Sequence, residues 1–226
     1  MWCDVRFLDL ILPVRCVVCD AAGEQLCRAC RDALLCLGPP LCDRCGAPTA
    51  WPVARCRECS GRRLAFASAR AAVAYDENVR RLVRSWKERG LRRLAAVAAD
   101  AVATALPPPS APATTLTFVP PDRARGLERG HHPAERLARE LGERWSLPVV
   151  PLLRRIRPAP RQRGLSLADR RRNVAGAFAP ARESPPRIVL VDDVYTSGST
   201  ASAASTILRK AGARRVEVVT FARVVR

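Results

Sequence analysis

The chain has 226 residues, and a hydrophobic content of 48% is enough to bury a core and too high for a disordered chain. The formal net charge is +18, and arginine supplies nearly all of the basic residues. No apolar run approaches the roughly 20 residues that span a bilayer, so we expect a cytoplasmic protein with no membrane span. The positive field favours phosphorylated ligands, nucleic acid or acidic surfaces as partners, although a simply solvated surface explains the charge as well.

The first residues, "MWCDVRFLDLILPVRC", are apolar but interrupted by Asp4 and Asp9. No basic segment precedes them and no small-residue cleavage site follows, so the pattern favours a short amphipathic helix over a signal peptide. We therefore expect residues 1–63 to form one region, in which this helix precedes a cysteine-rich segment. Residues 64–226 are expected to form the second region.

Eight of the ten cysteines form four Cys-x-x-Cys pairs, all before residue 60. Such a pair lets two thiolates converge on one ion, and two pairs complete a closed tetrahedral zinc site. Pairing of neighbours predicts one site in "CVVCDAAGEQLCRAC" and a second in "CDRCGAPTAWPVARCRECS". The predicted ligands are Cys16, Cys19, Cys27, Cys30, Cys42, Cys45, Cys56 and Cys59.

The cysteine pattern also leaves alternatives to zinc open. A disulfide framework or an iron–sulfur cluster would also use cysteine pairs, although disulfides suit a secreted chain better. Crossed sites, such as the first pair with the third, would use the same residues, so we expect one or two structural Zn²⁺ ions. A zinc ion closed by four cysteines has no open position, which predicts a role in folding or partner binding rather than in catalysis.

After Gly61, predicted strands and helices alternate, which indicates an α/β fold with a largely parallel central sheet. The predicted strands are residues 68–75, 116–120, 147–150, 187–193 and 214–225. The predicted helices are residues 76–90, an alanine-rich segment ending near 106, residues 133–145 and about 200–210. Residues 107–115 are predicted to connect two elements, because proline at this density cannot continue a helix.

The segment "IVLVDDVYTSGSTA", residues 188–201, joins a buried strand to a helix through two carboxylates and a run of hydroxyl residues. Ligands of parallel sheets bind at the carboxyl ends of strands, where Asp192 and Asp193 are predicted to lie. Gly198 allows the backbone to curl around an anion, and the first N–H groups of the helix would face it. Carboxylates beside a phosphate site suit the vicinal hydroxyls of a sugar, so the segment predicts a ribose 5-phosphate site.

Two different kinds of strand end share part of this pattern. Four apolar residues followed by two acids also occur in a Walker B strand, but that site requires a phosphate loop ending in Gly-Lys. No glycine directly precedes Lys87 or Lys210, the only lysines, so a P-loop NTPase is excluded. The two acids could also lie at the end of the strand without binding a ligand. The full combination of acids, hydroxyl residues and glycine, however, is more specific for a ligand site than an acidic pair alone.

Residues 188–200 resemble the signature with which type I phosphoribosyltransferases bind phosphoribosyl pyrophosphate (PRPP). The wider chain resembles the ComF family, competence-associated proteins that join an N-terminal zinc ribbon to a phosphoribosyltransferase domain. Besides the apolar N-terminus and the cysteine pairs, "YDENVRRLVRSWKERG", "VPPDRARGLERGHHPAERLA" and "RQRGLSLADRRRNVAGAF" carry this resemblance. It implies a type I phosphoribosyltransferase fold preceded by a double zinc ribbon.

The resemblance also implies roles for individual residues. Asp192 and Asp193 would be the catalytic pair that holds the ribose hydroxyls. The 5-phosphate would be held by Thr196, Ser197, Gly198, Ser199 and Thr200. The turn from Pro120 to Arg123, with Pro121 and Arg123 as ligands, would hold the pyrophosphate with Mg²⁺. A closing loop would contain Arg161, Gln162, Arg170 and Asn173. Family members often carry Phe-Asn where this chain has His131 and His132, so no role is assigned to these histidines.

Two functions from different classes follow from this resemblance. An active protein would be a type I phosphoribosyltransferase, a glycosyltransferase of the pentosyl class, working in DNA uptake or nucleotide metabolism. Alternatively, the protein would sense PRPP or a nucleotide without turnover and bind single-stranded nucleic acid or the DNA-uptake machinery. No residue pattern identifies an acceptor base or amine.

Overall fold

The computed structural model describes residues 13–109, 113–121, 131–157, 174 and 176–225. The predicted N-terminal helix therefore lies largely outside the described residues. Five of the residues assigned by resemblance also lie outside them: Arg123, Arg161, Gln162, Arg170 and Asn173.

The described residues form strands and helices close to the predicted bounds. The strands are β1 (Ser68–Ala74), β2 (Thr114–Phe118), β3 (Leu153–Arg155), β4 (Phe178–Pro180), β5 (Arg187–Tyr195) and β6 (Arg215–Arg223). The helices are α1 (Arg28–Asp32), α2 (Glu77–Glu88), α3 (Leu94–Ala105), α4 (Pro133–Trp145) and α5 (Ser199–Lys210). Asp76 caps α2 by accepting a hydrogen bond from the Val79 N–H, and His132 caps α4.

A parallel four-stranded sheet, in the order β1, β6, β5, β2, forms the centre of the fold. In this register Val191 of β5 lies beside Phe118 of β2 and Val219 of β6, so the carboxyl ends of the three strands lie at one edge. The predicted α/β class with its parallel central sheet is confirmed. The antiparallel pair of β3 and β4 was not predicted.

Each face of the sheet has its own apolar cluster. One cluster joins Val189 and Val191 of β5 to buried residues of α2, α3 and α4. The other joins Ile188 and Leu190 to α5, to β3 and β4, and to cysteines of the N-terminal region. Because side chains alternate along a strand, Asp193 continues the first row and Asp192 continues the second.

Two boundaries differ from the sequence prediction in ways that affect the site. Strand β5 continues to Tyr195 instead of ending at residue 193, so two more strand residues follow Asp192 and Asp193. The segment predicted as a strand at 147–150 contributes a single parallel bridge, Leu116 to Val149, beside β2. Among the described residues, no helix has both the length and the apolarity to cross a membrane.

The cysteine-rich region packs directly on the edge strand β1. Cys36 forms an antiparallel bridge with Val73, and the Ala69 N–H donates to the Arg44 carbonyl at 3.0 Å. Gly46 lies so close to β1 that a Cβ there would overlap the Ala69 carbonyl, and its φ of 70° also favours glycine. The second half of this region is therefore held against the sheet by backbone contacts.

Candidate ligand site and zinc clusters

The eight predicted ligands form two groups in the structure. The first cysteine cluster contains Cys16, Cys19, Cys27 and Cys30, and the second contains Cys42, Cys45, Cys56 and Cys59. Within each cluster the four sulfurs lie within 4.8 Å of one another. The pairing of neighbours is thus confirmed, and crossed pairing is excluded.

The sulfur geometry fits tetrahedral zinc. Zinc–sulfur bonds of about 2.3 Å place tetrahedral sulfurs roughly 3.8 Å apart. The observed distances are 3.6 Å for Cys19–Cys27 and Cys42–Cys59, and 3.4 Å for Cys45–Cys56. Every cysteine that the structure describes is a free thiol, so the disulfide alternative was wrong for these residues.

Backbone N–H groups around the clusters favour thiolates, the form that binds zinc. In the second cluster the Cys56 N–H donates to the Cys42 sulfur at 3.2 Å. In the first, burial raises the pKa of Cys16, but N–H groups from Cys19, Cys27 and Val18 outweigh it and lower the pKa to about 6. Both clusters therefore suit structural zinc.

The hydroxyl loop, residues 196–200, leads from β5 into α5. Gly198 has φ 71° and is the cap residue of α5, and a Cβ there would overlap the Tyr195 hydroxyl. The Ser202 N–H bonds the Gly198 carbonyl at 2.8 Å, which begins the helix. The Ser199 N–H donates to the Ser197 hydroxyl at 3.4 Å, whereas the N–H groups of Thr200 and Ala201 have no partner within the helix and are available to an anion.

The residues of the hydroxyl loop divide into two sets. Thr196, Gly198 and Thr200 line a pocket at the start of α5, together with Asp192 and Thr220. The hydroxyls of Ser197 and Ser199 instead lie 3.0 Å from each other in the buried interior of the loop. The first set can contact a ligand directly, whereas the second shapes the loop.

Asp192 and Asp193 face different partners. Asp192 lines the pocket of the hydroxyl loop, whereas Asp193 is buried on the other face beside Lys87 of α2. The Lys87 Nζ lies 2.7 Å from the Asp193 Oδ2. The structure therefore joins Asp192 to the predicted phosphate-binding residues and does not place Asp193 in the same pocket.

The electrostatics of the acidic pair follow from burial and from this contact. Burial, followed by the charge of Asp193, raises the pKa of Asp192 to about 7. Burial alone would lower the pKa of Lys87, but Asp193 outweighs it and raises that pKa. Lys87 thus neutralises Asp193, while Asp192 is poised to lose its proton near neutral pH.

Comparisons with known proteins concern the cysteine-rich region and the chain as a whole. Residues 7–60 match the family described as the double zinc ribbon domain. The chain is 31% identical to competence protein F of Haemophilus influenzae over 227 aligned residues, which cover 92% of this chain and 96% of that protein. The chain belongs to the ComF family.

Lys87 is a residue of this ComF family chain that sequence reasoning did not assign to the site. It lies within "YDENVRRLVRSWKERG", and it is one of two lysines in a chain where arginine is the usual cation. A lysine supplies a compact charge that can reach one carboxylate, whereas an arginine fork suits two acceptors. That rarity was the signal that could have identified it.

Arg155 of β3 is a second residue that sequence reasoning missed. Its Nε donates to the Pro120 carbonyl at 3.4 Å, and its guanidinium lies 4.6 Å from the centroid of the Phe178 ring. Its charge also acts to lower the pKa of Asp192. Arg155 therefore brings positive charge to the turn after β2, where Pro120 begins the predicted pyrophosphate loop.

His131 and His132 have structural roles in this ComF family chain. The His132 Nδ1 accepts the Glu135 N–H at 3.0 Å as the cap of α4, and burial lowers its pKa to about 4. The His131 Nε2 donates to the Trp86 carbonyl at 2.7 Å near the end of α2. The pair thus joins α4 to α2, which also carries Lys87.

Proposed function

We propose that this ComF family member binds Mg-PRPP, or a nucleotide with a ribose 5-phosphate, at the carboxyl end of β5 and acts in the cytoplasm in DNA uptake. The observation that carries the proposal is that Asp192 and Thr196, Gly198 and Thr200 of the hydroxyl loop line one small recess of about 20 Å³, so a sugar phosphate would contact these residues at the surface rather than fill the recess. Its donors suit a phosphate and its carboxylate suits sugar hydroxyls. The similarity to competence protein F supports the role in competence.

In this proposal different residues bind different parts of the ligand. The N–H groups at the start of α5 and the hydroxyls of Thr196 and Thr200 hold the 5-phosphate, and Asp192 accepts from a ribose hydroxyl. Asp193 can contact the ribose only if its ion pair with Lys87 breaks, because the two side chains lie 2.7 Å apart.

The pyrophosphate of PRPP would lie toward the turn after β2. Pro121 and Arg123 are proposed to hold it, with Arg155 adding charge and Arg161 and Gln162 closing over the ligand. Bound Mg²⁺ would neutralise charge on the pyrophosphate as it leaves. Catalysis by the protein's own residues is then mainly positioning and exclusion of water, and no nucleophilic side chain is required.

Turnover is tested by incubating the protein with Mg-PRPP and a panel of purines, pyrimidines and amines while following pyrophosphate release. An active type I phosphoribosyltransferase releases pyrophosphate with at least one acceptor, and Asp192→Asn abolishes that release. If the protein binds PRPP but releases no pyrophosphate with any acceptor, it is a non-catalytic sensor. Absence of both binding and release contradicts the proposed function.

One observation favours a second function, the binding of single-stranded nucleic acid. Trp51 is 68% exposed in the second half of the zinc ribbon, a region that also exposes Arg55, Arg57 and Arg63. An exposed aromatic ring among arginines is the combination on which single-stranded bases stack. The net charge of +18 supports the same partner.

Titration of a labelled oligonucleotide at several salt concentrations tests this function. We expect affinity to fall steeply with salt and Trp51→Ala to weaken it by roughly 1–3 kcal/mol. Leu35→Ala, at an apolar residue that is 59% exposed in the same region, is the control. Equal affinities for both variants and the parent would contradict the stacking role.

A further inference from the structure

The second cysteine cluster contacts the hydroxyl loop through the segment that leaves it. The Arg62 Nη2 donates to the Ser197 carbonyl at 2.6 Å, across 135 positions of sequence. Three residues later the Ala65 N–H donates to the Ser202 hydroxyl, in the first turn of α5, at 3.1 Å. The loop is therefore contacted at its centre and at the helix that follows it.

Arg62 is itself fixed to the cysteine cluster. Its backbone N–H donates to the Cys59 carbonyl at 3.2 Å, and its Nη1 donates to the Glu58 carbonyl at 3.4 Å. Both acceptors belong to the turn that carries Cys56 and Cys59 of the second cysteine cluster. One guanidinium thus joins the backbone of a zinc-binding turn to the backbone of the hydroxyl loop.

The contact determines which way a loop N–H points. The carbonyl of Ser197 and the N–H of Gly198 belong to one trans peptide, so they point in opposite directions. Because Arg62 holds the carbonyl, the Gly198 N–H is directed away from the ribbon. Gly198 lines the pocket with Asp192, so this N–H becomes available to an anion there.

A second arginine holds the residue before the loop. Arg223 of β6 is 1% exposed, and it donates to the Cys45 carbonyl at 2.6 Å and to Glu58 at 2.7 Å. Its guanidinium also lies 4.7 Å from the centroid of the Tyr195 ring. Tyr195 packs against Gly198, so the same zinc-binding region supports the loop from both ends.

We propose that Arg62 is a positioning residue for the anion site, through which the second cysteine cluster sets the conformation of the hydroxyl loop. The ribbon is then part of the ligand site, in addition to any role in holding partners. The inference rests on the proposed function only for the identity of the anion, since the backbone contact exists without it.

Amide hydrogen exchange of the protein without added ligand tests the inference, with Arg62→Ala and Arg62→Met compared against the parent. Arg62→Met retains the long side-chain stem and is the variant to interpret if Arg62→Ala loses metal or fails to fold. We expect exchange at Ser199 and Ser202 to become about tenfold faster, because a hydrogen bond from a charged donor is lost. Metal analysis should still find the zinc content of the parent.

Two further variants make the result specific. Arg63→Ala removes the same charge from the exposed neighbour and should leave exchange unchanged. Arg62→Lys keeps the charge and one donor and should restore slow exchange in part. Unchanged exchange in Arg62→Met with zinc intact, or equal effects of Arg63→Ala, would overturn the inference.

Calorimetry with ribose 5-phosphate separates this inference from the proposed function. We expect Arg62→Met to bind it about tenfold more weakly than the parent, with Arg62→Lys between them. If the parent protein does not bind ribose 5-phosphate, the proposed function fails, while the exchange experiment still decides the role of Arg62. If the parent binds and Arg62→Met binds equally well, the proposed function stands and the positioning role fails.

Discussion

Asp192 and Asp193 have different environments because neighbouring side chains of a strand point to opposite faces of the sheet. Asp192 lines the pocket of the hydroxyl loop, and Asp193 contacts Lys87. The sequence predicts that both carboxylates lie at a strand end, and this is where they lie. It could not predict that β5 continues beyond them to Tyr195, since that depends on pairing with β6 at Ala222 and Arg223.

The raised pKa of Asp192 predicts a pH dependence of stability. Its pKa is about 7 in the folded chain against an ordinary value of 3.8, so the folded state holds the proton more tightly. This contribution to the free energy of unfolding is full below pH 4 and is lost as pH rises through 7. Asp192→Asn should therefore gain on the order of 2 kcal/mol relative to the parent between pH 5.5 and pH 8.

Urea unfolding of parent and variant at the two pH values measures this difference. Asp43→Asn, at an exposed aspartate in the second half of the ribbon, is the control and should show no such trend. If the difference between Asp192→Asn and the parent is the same at both pH values, Asp192 is not titrating as described.

At the scale of elements, α2 carries a buried ion pair with the sheet as well as exposed ion pairs within its own surface. The Lys87–Asp193 pair is largely buried, with side-chain exposures of 30% and 12%, whereas Arg84 and Glu88 on the same helix are 70% and 44% exposed. The helical spacing of Val79, Leu82, Val83 and Trp86 predicted the buried face of this helix. The partner of Lys87 could not be predicted, because it lies 106 positions away.

Lys87→Met should lower the free energy of unfolding by about 2 kcal/mol, because it leaves the Asp193 carboxylate buried without its partner. Arg84→Ala, which breaks only an exposed pair with Glu88, should cost under about 0.5 kcal/mol. Chemical denaturation of the two variants checks the contrast. If both variants lose the same free energy of unfolding, the buried Lys87–Asp193 pair stabilises the fold no more than the exposed Arg84–Glu88 pair does.

Local sequence patterns could not predict the antiparallel pair of β3 and β4. Each strand has only three residues, too few for a period of two to be recognised, and Leu153 pairs with Pro180 across 27 positions. The long helices α2 and α4 were predicted within two residues of their observed ends because caps and apolar spacing agree there.

At the scale of the whole molecule, the cysteine clusters belong to the same two apolar cores as the sheet. Cys16 packs in the cluster that contains Trp86, and Cys42, Cys45 and Cys59 pack in the cluster that contains Ile188. The sequence predicted the clusters from spacing alone, but it did not predict this shared packing. Residues from both sides of position 63 thus contribute to each core, and the division of the chain at residue 63 stays a prediction.

Removal of zinc should accordingly destabilise the whole chain. We expect two zinc ions per chain by metal analysis, and a chelator should lower the thermal midpoint of the helices measured by far-UV circular dichroism. Added zinc in excess of the chelator is the control and should restore the midpoint. A chelated protein whose helices melt at the original temperature would contradict the shared cores.

The central claim is that the carboxyl end of β5 binds a ribose 5-phosphate ligand, and calorimetric titration with Mg-PRPP tests it most directly. The parent should bind, and Asp192→Asn combined with Asp193→Asn should bind at least about 100-fold more weakly, since charge-assisted hydrogen bonds to the ribose are lost. The matched control, Asp32→Asn combined with Asp43→Asn, changes the net charge equally at exposed positions and should bind like the parent. Equal affinity of the Asp192/Asp193 double variant and the parent, or no binding by the parent, would contradict the account.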